Sequence, residues 1–434
     1  MSASVETAPY RAAFDAQRRA GEPTWLGDSR RTALARFEAL GFPTRRSEDW
    51  RFTNLGALRR SSFAPAGGEA GTAPDLARWL YPDKTHRLVL IDGRLAPALC
   101  DIGMLPEGAY LAGTGKALEE RPELAKALFD ETDRIGGQAF ASLNAALFAD
   151  GFVLALDPGV VLERPVEIVH FGRAPQRSSQ LRSLVRLGEG ARATVIESFA
   201  GGAEHWLNAV ARVELAPGAA LRHAKLQDED KSAIHLAQAR AVLEKNARYE
   251  AFVLHLGGGL ARHDIVVRFA GKDAACGLFG ASLLRGEQEA TVATLVDHAA
   301  PGCTTREYFK TVVDERAHGV FLGRIAVRPE AQKTDAHQLN KNLLLSPRAN
   351  VDTKPELEIF ADDVKCRHGA TVGDLDEAAL FYLETRGIPP AEARRMLIEA
   401  FAAEAIEQIE DDPGLRAYLA RHVRRWLGRD EDEA

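Results

Sequence analysis

Cys366 and His368 stand one residue apart near the start of VKCRHGATVGDLDEAALFYLETRGI, Val364–Ile388. Thiolate and imidazole suit zinc and iron–sulfur chemistry. In an extended strand, residues i and i+2 share a face, so both side chains can address one external object. Two donors do not close a four-coordinate site. A metal here must take further ligands from elsewhere in the chain or from another chain. Spacing alone leaves a rival reading, a turn that carries a buried cysteine.

The other candidates point to structure more than to chemistry. Cys100, Cys276 and Cys303 are scattered, with no C-x-x-C, which is poor material for a disulfide framework or a structural zinc site. Cys276 in AACGLFGA reads as a buried hydrophobe. Asp297, His298 and Cys303 in LVDHAAPGCTT read as a structural group. His170, His223, His235 and His255 fall in or near strands and read as hydrogen-bonded core histidines. YLAGTGKA fails as a P-loop at Tyr110 and Ala117, and no helix follows Gly257-Gly258-Gly259. A β-helical polysaccharide lyase or hydrolase would work with clustered carboxylates. His263-Asp264 is the suggestive pair for that class, but no acidic residue recurs in register.

The element that must present Cys366 and His368 is set by a repeat. From Gly151 onward an apolar anchor is followed by three turn-like residues and usually a small residue. The pattern appears at Leu156 (LDPGV), Leu187 (LGEGA), Leu215 (LAPGA), Leu243 (LEKNA), Phe269 (FAGKD), Val313 (VDERA), Leu345 (LSPRA) and Phe360 (FADDV). The anchors fall mostly about 22 to 32 residues apart if one unit hides between Phe269 and Val313, which is a solenoid period. Flanking runs such as ARATVIESF alternate and can bury one face. The expectation is a mainly β chain, a right-handed parallel β-helix flanked by N- and C-terminal helical regions that cover its ends. An antiparallel sandwich is the rival.

The expected organisation is an N-terminal helical region with linker (1–85), a mixed strand and helix cover (86–150), a β-helix core (151–370) and a C-terminal helical region (371–434). In the first region, Asp28 or Ser29 caps a helix that Gly41 stops, and Ser61–Ala77 reads as the linker. RLVLIDGRL predicts a hairpin at Asp92-Gly93. Near the end, Asp374 and Glu377 form a capping box, and Gly387 with Pro389-Pro390 stops that helix. The last helix carries Leu415, Tyr418, Leu419, Val423 and Trp426 on one stripe, with a solvated acidic tail, DEDEA, after it.

Composition narrows the class. The chain has 434 residues, 46% hydrophobic and 27% charged, with a net charge of −7. That balance argues against a general nucleic-acid or acidic-membrane binder. No apolar leader and no run of 18 apolar residues occurs, so the expectation is a cytoplasmic protein with reduced thiols and no membrane span.

The run His318–Ile388 closely resembles the SufB/SufD family of iron–sulfur cluster assembly scaffolds, on its SufD branch. The marks are VKCRHGATVGDLD, SLNAALFADGFVLALDPGVVLERPVEI (Ser142–Ile168), RSEDWRFTNL, ACGLFGASLLRG and DHAAPGCTTREYFK. The resemblance implies a β-helix between helical regions and a non-catalytic scaffold subunit. It implies pairing with a SufB-like paralogue through the β-helix end. It also implies binding of the SufC ATPase by the C-terminal helices, which fits the failed P-loop. His368 matches the position proposed in the family to join a paralogue cysteine as interface ligand to the nascent cluster, with Cys366 as its companion. The cluster would be transient and shared between subunits, with none bound to the isolated chain, which alone can form a homodimer.

Overall fold

The computed structural model describes residues 6–17, 22–61, 63–65, 74–129, 138–202 and 204–429. Two 10-stranded sheets run through it, each formed mostly by every second strand of the chain. From Phe152–Leu156 to Asn350–Ile359 one sheet is parallel throughout, and from Val166–Gly172 to Lys365–Gly373 so is the other. Eight strands per sheet in these stretches make a parallel β-solenoid of about eight coils. The antiparallel sandwich is excluded.

The repeat has a backbone cause. Gly159, Gly190, Gly218 and Asn246, the fourth residues of the first four motifs, have φ of 78°, 68°, 70° and 58°. A left-handed turn residue is cheap only for glycine or a short polar side chain, so these positions mark the corners. The strands of one sheet end at Leu187, Leu215, Leu243, Phe269, His298, Val327 and Ile359, 26 to 32 residues apart. The hidden unit is therefore His298-Ala299-Ala300-Pro301-Gly302. Val313 and Leu345 mark the opposite corner, where strands of the other sheet end. Each coil has two similar corners, and the motif does not tell them apart.

Three apolar layers hold the fold. The inward positions of both sheets form the main core, from Leu88 through Phe199, Leu278 and Phe321. The N-terminal helices pack Phe37, Phe42 and Trp50 on the outer face of one sheet at Trp206, Leu236 and Leu260. Helices Pro390–Ile406 and Pro413–Trp426 pack Ile398, Ala402, Leu415, Tyr418 and Leu419 on the outer face of the other sheet, at Ala224, Phe252, Phe279 and Ala281. The flanking helices thus line the walls rather than the ends, because outward positions of both sheets are themselves apolar. A buried ammonium pins the C-terminal wall: Lys310 Nζ lies 2.6 Å from Glu404 and 3.9 Å from the Phe401 ring centroid.

Several local expectations shift. The helix predicted to start at Asp28 or Ser29 runs Thr24–Leu40, with Pro23 before it fixing φ, and Gly41 ends it at φ 61°. The hairpin forms as expected, with Asp92 and Gly93 at φ 48° and 77°. Strand His86–Ile91 extends the solenoid sheet by pairing with Val166–Phe171. Asp376, not Asp374, caps the helix Glu377–Thr385, accepting from the backbone N–H of Ala378 and Ala379. Most of the proposed linker and the acidic tail lie outside the described residues. Among those described, no helix is long and apolar enough to cross a membrane.

Candidate functional site

Lys365–Gly373 is the last strand of its sheet, paired in register with Asp335–Leu343. Its neighbours decide which way it faces. Cys366 pairs with Ala336 and His368 with Gln338, both inward and 0% and 2% exposed. In a parallel in-register stack a column keeps one face, so Cys366 and His368 belong to the solenoid interior. His368 is nevertheless exposed, since no further coil lies above it among the described residues. The pair is therefore the floor of an open end.

The two side chains differ in readiness. Cys366 is half-buried against the main core, and burial pushes its thiol up, which favours the protonated form. His368 is on the exposed rim. Around them Ile359, Phe360 and Val372 are 41%, 68% and 50% exposed, although all belong to or adjoin the terminal strands. Helix Glu377–Thr385 follows directly and buries no residue, with Phe381 and Tyr382 exposed. Apolar side chains and a strand edge open at one end mark a contact surface. Outside the same sheet a groove of about 1010 Å³ reaches Arg367 and His368, with Glu410 and Asp411 on its lining.

The other cysteines are not part of this end. Cys276 and Cys303 are buried in the main core, and burial raises both thiols. Asp297 is engaged by Arg328 at 2.7 Å, and His298 Nε2 lies 2.9 Å from the Thr305 hydroxyl. His263 faces inward beside the main core, whereas Asp264 faces the N-terminal wall and accepts from Arg262 at 2.8 Å. The two lie on opposite faces and do not form an acid–base pair.

One feature escaped the sequence reading. The interior of the middle coils is polar. Glu197 accepts from Nε2 of His170 at 3.0 Å and of His223 at 2.7 Å. Glu229 accepts from His205 Nε2 at 2.8 Å, and His235 Nδ1 lies 2.6 Å from its other oxygen. Between them Lys225 is buried over the Phe199 ring at 4.5 Å, its pKa lowered to about 8 by burial. His170, His223, His235 and His255 were expected to be hydrogen-bonded core histidines. All four are buried, His170 and His223 are hydrogen-bonded to Glu197, and His235 meets Glu229 as an ion-pair contact only. Their carboxylate partners carry a sequence signal that was available: His170, Glu197 and His223 are 27 and 26 residues apart, one coil each.

Comparison with known proteins places this architecture. Residues 170–401 match the family model described as SUF system FeS cluster assembly, SufBD core domain, and residues 10–168 match the SufBD protein N-terminal region. The chain is 34% identical over 395 residues to the iron–sulfur cluster assembly protein SufD of Escherichia coli (strain K12), covering 89% of this chain and 90% of the relative. An iron–sulfur cluster assembly SufBD family protein of Synechocystis is 31% identical, covering 89% of this chain and 88% of the relative. Protein ABCI7, chloroplastic, of Arabidopsis thaliana is 31% identical, with 89% and 83% covered.

Proposed function

Because the chain belongs to the SufB/SufD family and so acts in iron–sulfur cluster assembly, we propose that its open end is half of a cluster-building interface. A SufB-like paralogue closes the last coil, and His368, with Cys366 beside it, offers ligands to a cluster that the paralogue helps to hold. The cluster is cargo, built and released. The chain itself is a non-catalytic scaffold subunit, working in the cytoplasm within a SufBCD-type complex. The observation that carries this reading is that the inward positions Cys366 and His368 are left uncovered at a rim of exposed apolar residues.

The energy for rearranging that interface comes from a SufC-type ATPase. The stripe of helix Pro413–Trp426 is spent on the solenoid wall, with Leu415, Tyr418, Leu419, His422 and Val423 buried. The ATPase therefore contacts the exposed side of Glu377–Thr385 and Pro390–Ile406, where Phe381, Tyr382 and Met396 are exposed. Charging that surface should break the contact: Phe381→Asp combined with Tyr382→Asp is expected to cost at least about tenfold in ATPase affinity, the scale of losing one well-packed anchor. Pull-down of the co-expressed subunits reads it. Retained ATPase with lost paralogue would exchange the two surfaces.

The ligand role is tested by His368→Ala in the co-expressed complex, reconstituted anaerobically with ferrous iron and sulfide. Cluster absorbance should fall severalfold while the subunit ratio is unchanged, since an exposed rim side chain carries little of the fold. Full absorbance in an intact complex would remove His368 from the interface.

A further inference from the structure

Below His368 the inward column holds two buried polar residues. Strand register places His368 on Gln338 and Gln338 on Glu307, with apolar Leu278 beneath. Gln338 Nε2 donates to Glu307 Oε2 at 2.7 Å, and the Thr294 hydroxyl donates to the same oxygen at 3.0 Å from the opposite sheet. With Glu307 ionised, this turns the amide nitrogen toward the carboxylate and the amide oxygen away from it. Gln338 is 2% exposed, yet its Oε1 has no partner. Gly323 lies across the interior, and a Cβ there would sit 2.2 Å from Gln338 Nε2. The amide has been given room to lie across the interior, with its carbonyl left over.

A buried carbonyl without a donor is costly and calls for an explanation. The next residue in its column is an imidazole. A metal-bound histidine uses one ring nitrogen for the metal and normally donates the other N–H to a carbonyl or carboxylate. We propose that Gln338 is the positioning residue for His368: its free Oε1 accepts the ring N–H that the metal does not use, and Glu307 holds the amide in that orientation. This rests on the reading of His368 as an interface ligand. The stack orients the ring and leaves the other nitrogen aimed out of the open end.

The test uses the co-expressed complex, reconstituted with ferrous iron and sulfide and challenged with an iron chelator. Gln338→Leu keeps the bulk and removes the acceptor. Resistance to the chelator should fall about tenfold or more, the usual scale for losing such a partner. The histidine-nitrogen coupling in the electron paramagnetic resonance of the reduced cluster should change, while the subunit ratio holds. A merely structural role for Gln338 would not move that coupling. If Gln338→Leu does not give folded protein, Gly323→Ala displaces the amide from the opposite sheet and carries the same expectations. Unchanged chelator resistance and unchanged coupling would overturn the proposal. His368→Ala, run in parallel, separates the two claims. If it too leaves the cluster unaffected, the ligand reading has failed. If it alone removes the cluster, only the role of Gln338 has failed.

Discussion

Glu197→Ala is expected to destabilise the folded chain by about 3–5 kcal/mol at pH 7, the cost of removing one partner from a buried ionic network. The carboxylate is the shared acceptor for His170 and His223, and both imidazoles are buried with it. Burial alone would raise its pKa, but the two hydrogen bonds and the imidazole charge carry it well below the carboxylate range. Without it, two donors lose their acceptor and Lys225 loses a nearby counter-charge in a low-dielectric interior. Glu197→Gln keeps the volume and one acceptor oxygen, so its loss should be smaller. Urea unfolding followed by far-ultraviolet circular dichroism measures both. A shift of the Ala variant below about 1 kcal/mol, the size of an ordinary surface change, would mean that the interior is hydrated and the network weak.

That network also shows where sequence reading stops. The solenoid was legible because its corners demand left-handed residues, and Gly190, Gly218 and Asn246 supply them at a regular spacing. The choice between wall and end for the helices was not. Amphipathicity says that a helix has an apolar face, not which surface receives it. The answer lies in outward positions such as Phe252 and Phe279, whose partners are visible only once the register is known. Alternation failed for the polar interior for a related reason. Glu197 and Lys225 sit at inward parity, but in one strand a charged residue at alternate positions reads as the solvated face. Only the neighbouring coils reveal the pairing.

The site itself was half legible. Parity put Cys366 and His368 on one face, as found, and the resemblance singled out His368. Spacing could not say that this face is the interior, or that Gln338 and Glu307 lie beneath it. Those facts depend on residues 30 and 61 positions away, brought into one column by the register. The cap was misplaced by two residues, since Asp374 and Asp376 both precede the helix and only geometry shows which accepts from its first turn.

Other buried histidines set the acid limit of the fold. Burial lowers His235 and His298 to about 4, and carries His255 and His263 well below their ordinary value. Each is neutral when folded and takes a proton near 6.5 when unfolded, so the unfolded chain binds more protons below that pH. The stability these groups provide is complete above about pH 6.5 and is lost as pH falls toward their folded values, each at up to about 1.4 kcal/mol per pH unit. Glu307 acts in the opposite sense. Burial raises it to about 7, so it favours the folded state as pH drops from 7 to about 4.3, the ordinary glutamate value. Asp228, Asp264 and Glu289 are also raised by burial, and His337 and His422 are also lowered by it, so among the described residues four carboxylates stand against six imidazoles. The imidazoles, which take their proton near 6.5 in the unfolded chain, dominate between pH 7 and pH 5. The urea midpoint should therefore decline steadily from pH 7 to pH 5, before the ion-paired carboxylates begin to titrate. A midpoint that stays level to pH 5 and drops only below it would place the acid sensitivity in the carboxylates instead. The interior would then be wet enough for its imidazoles to titrate as they do in water, and a dry column beneath His368 would lose its physical basis as well.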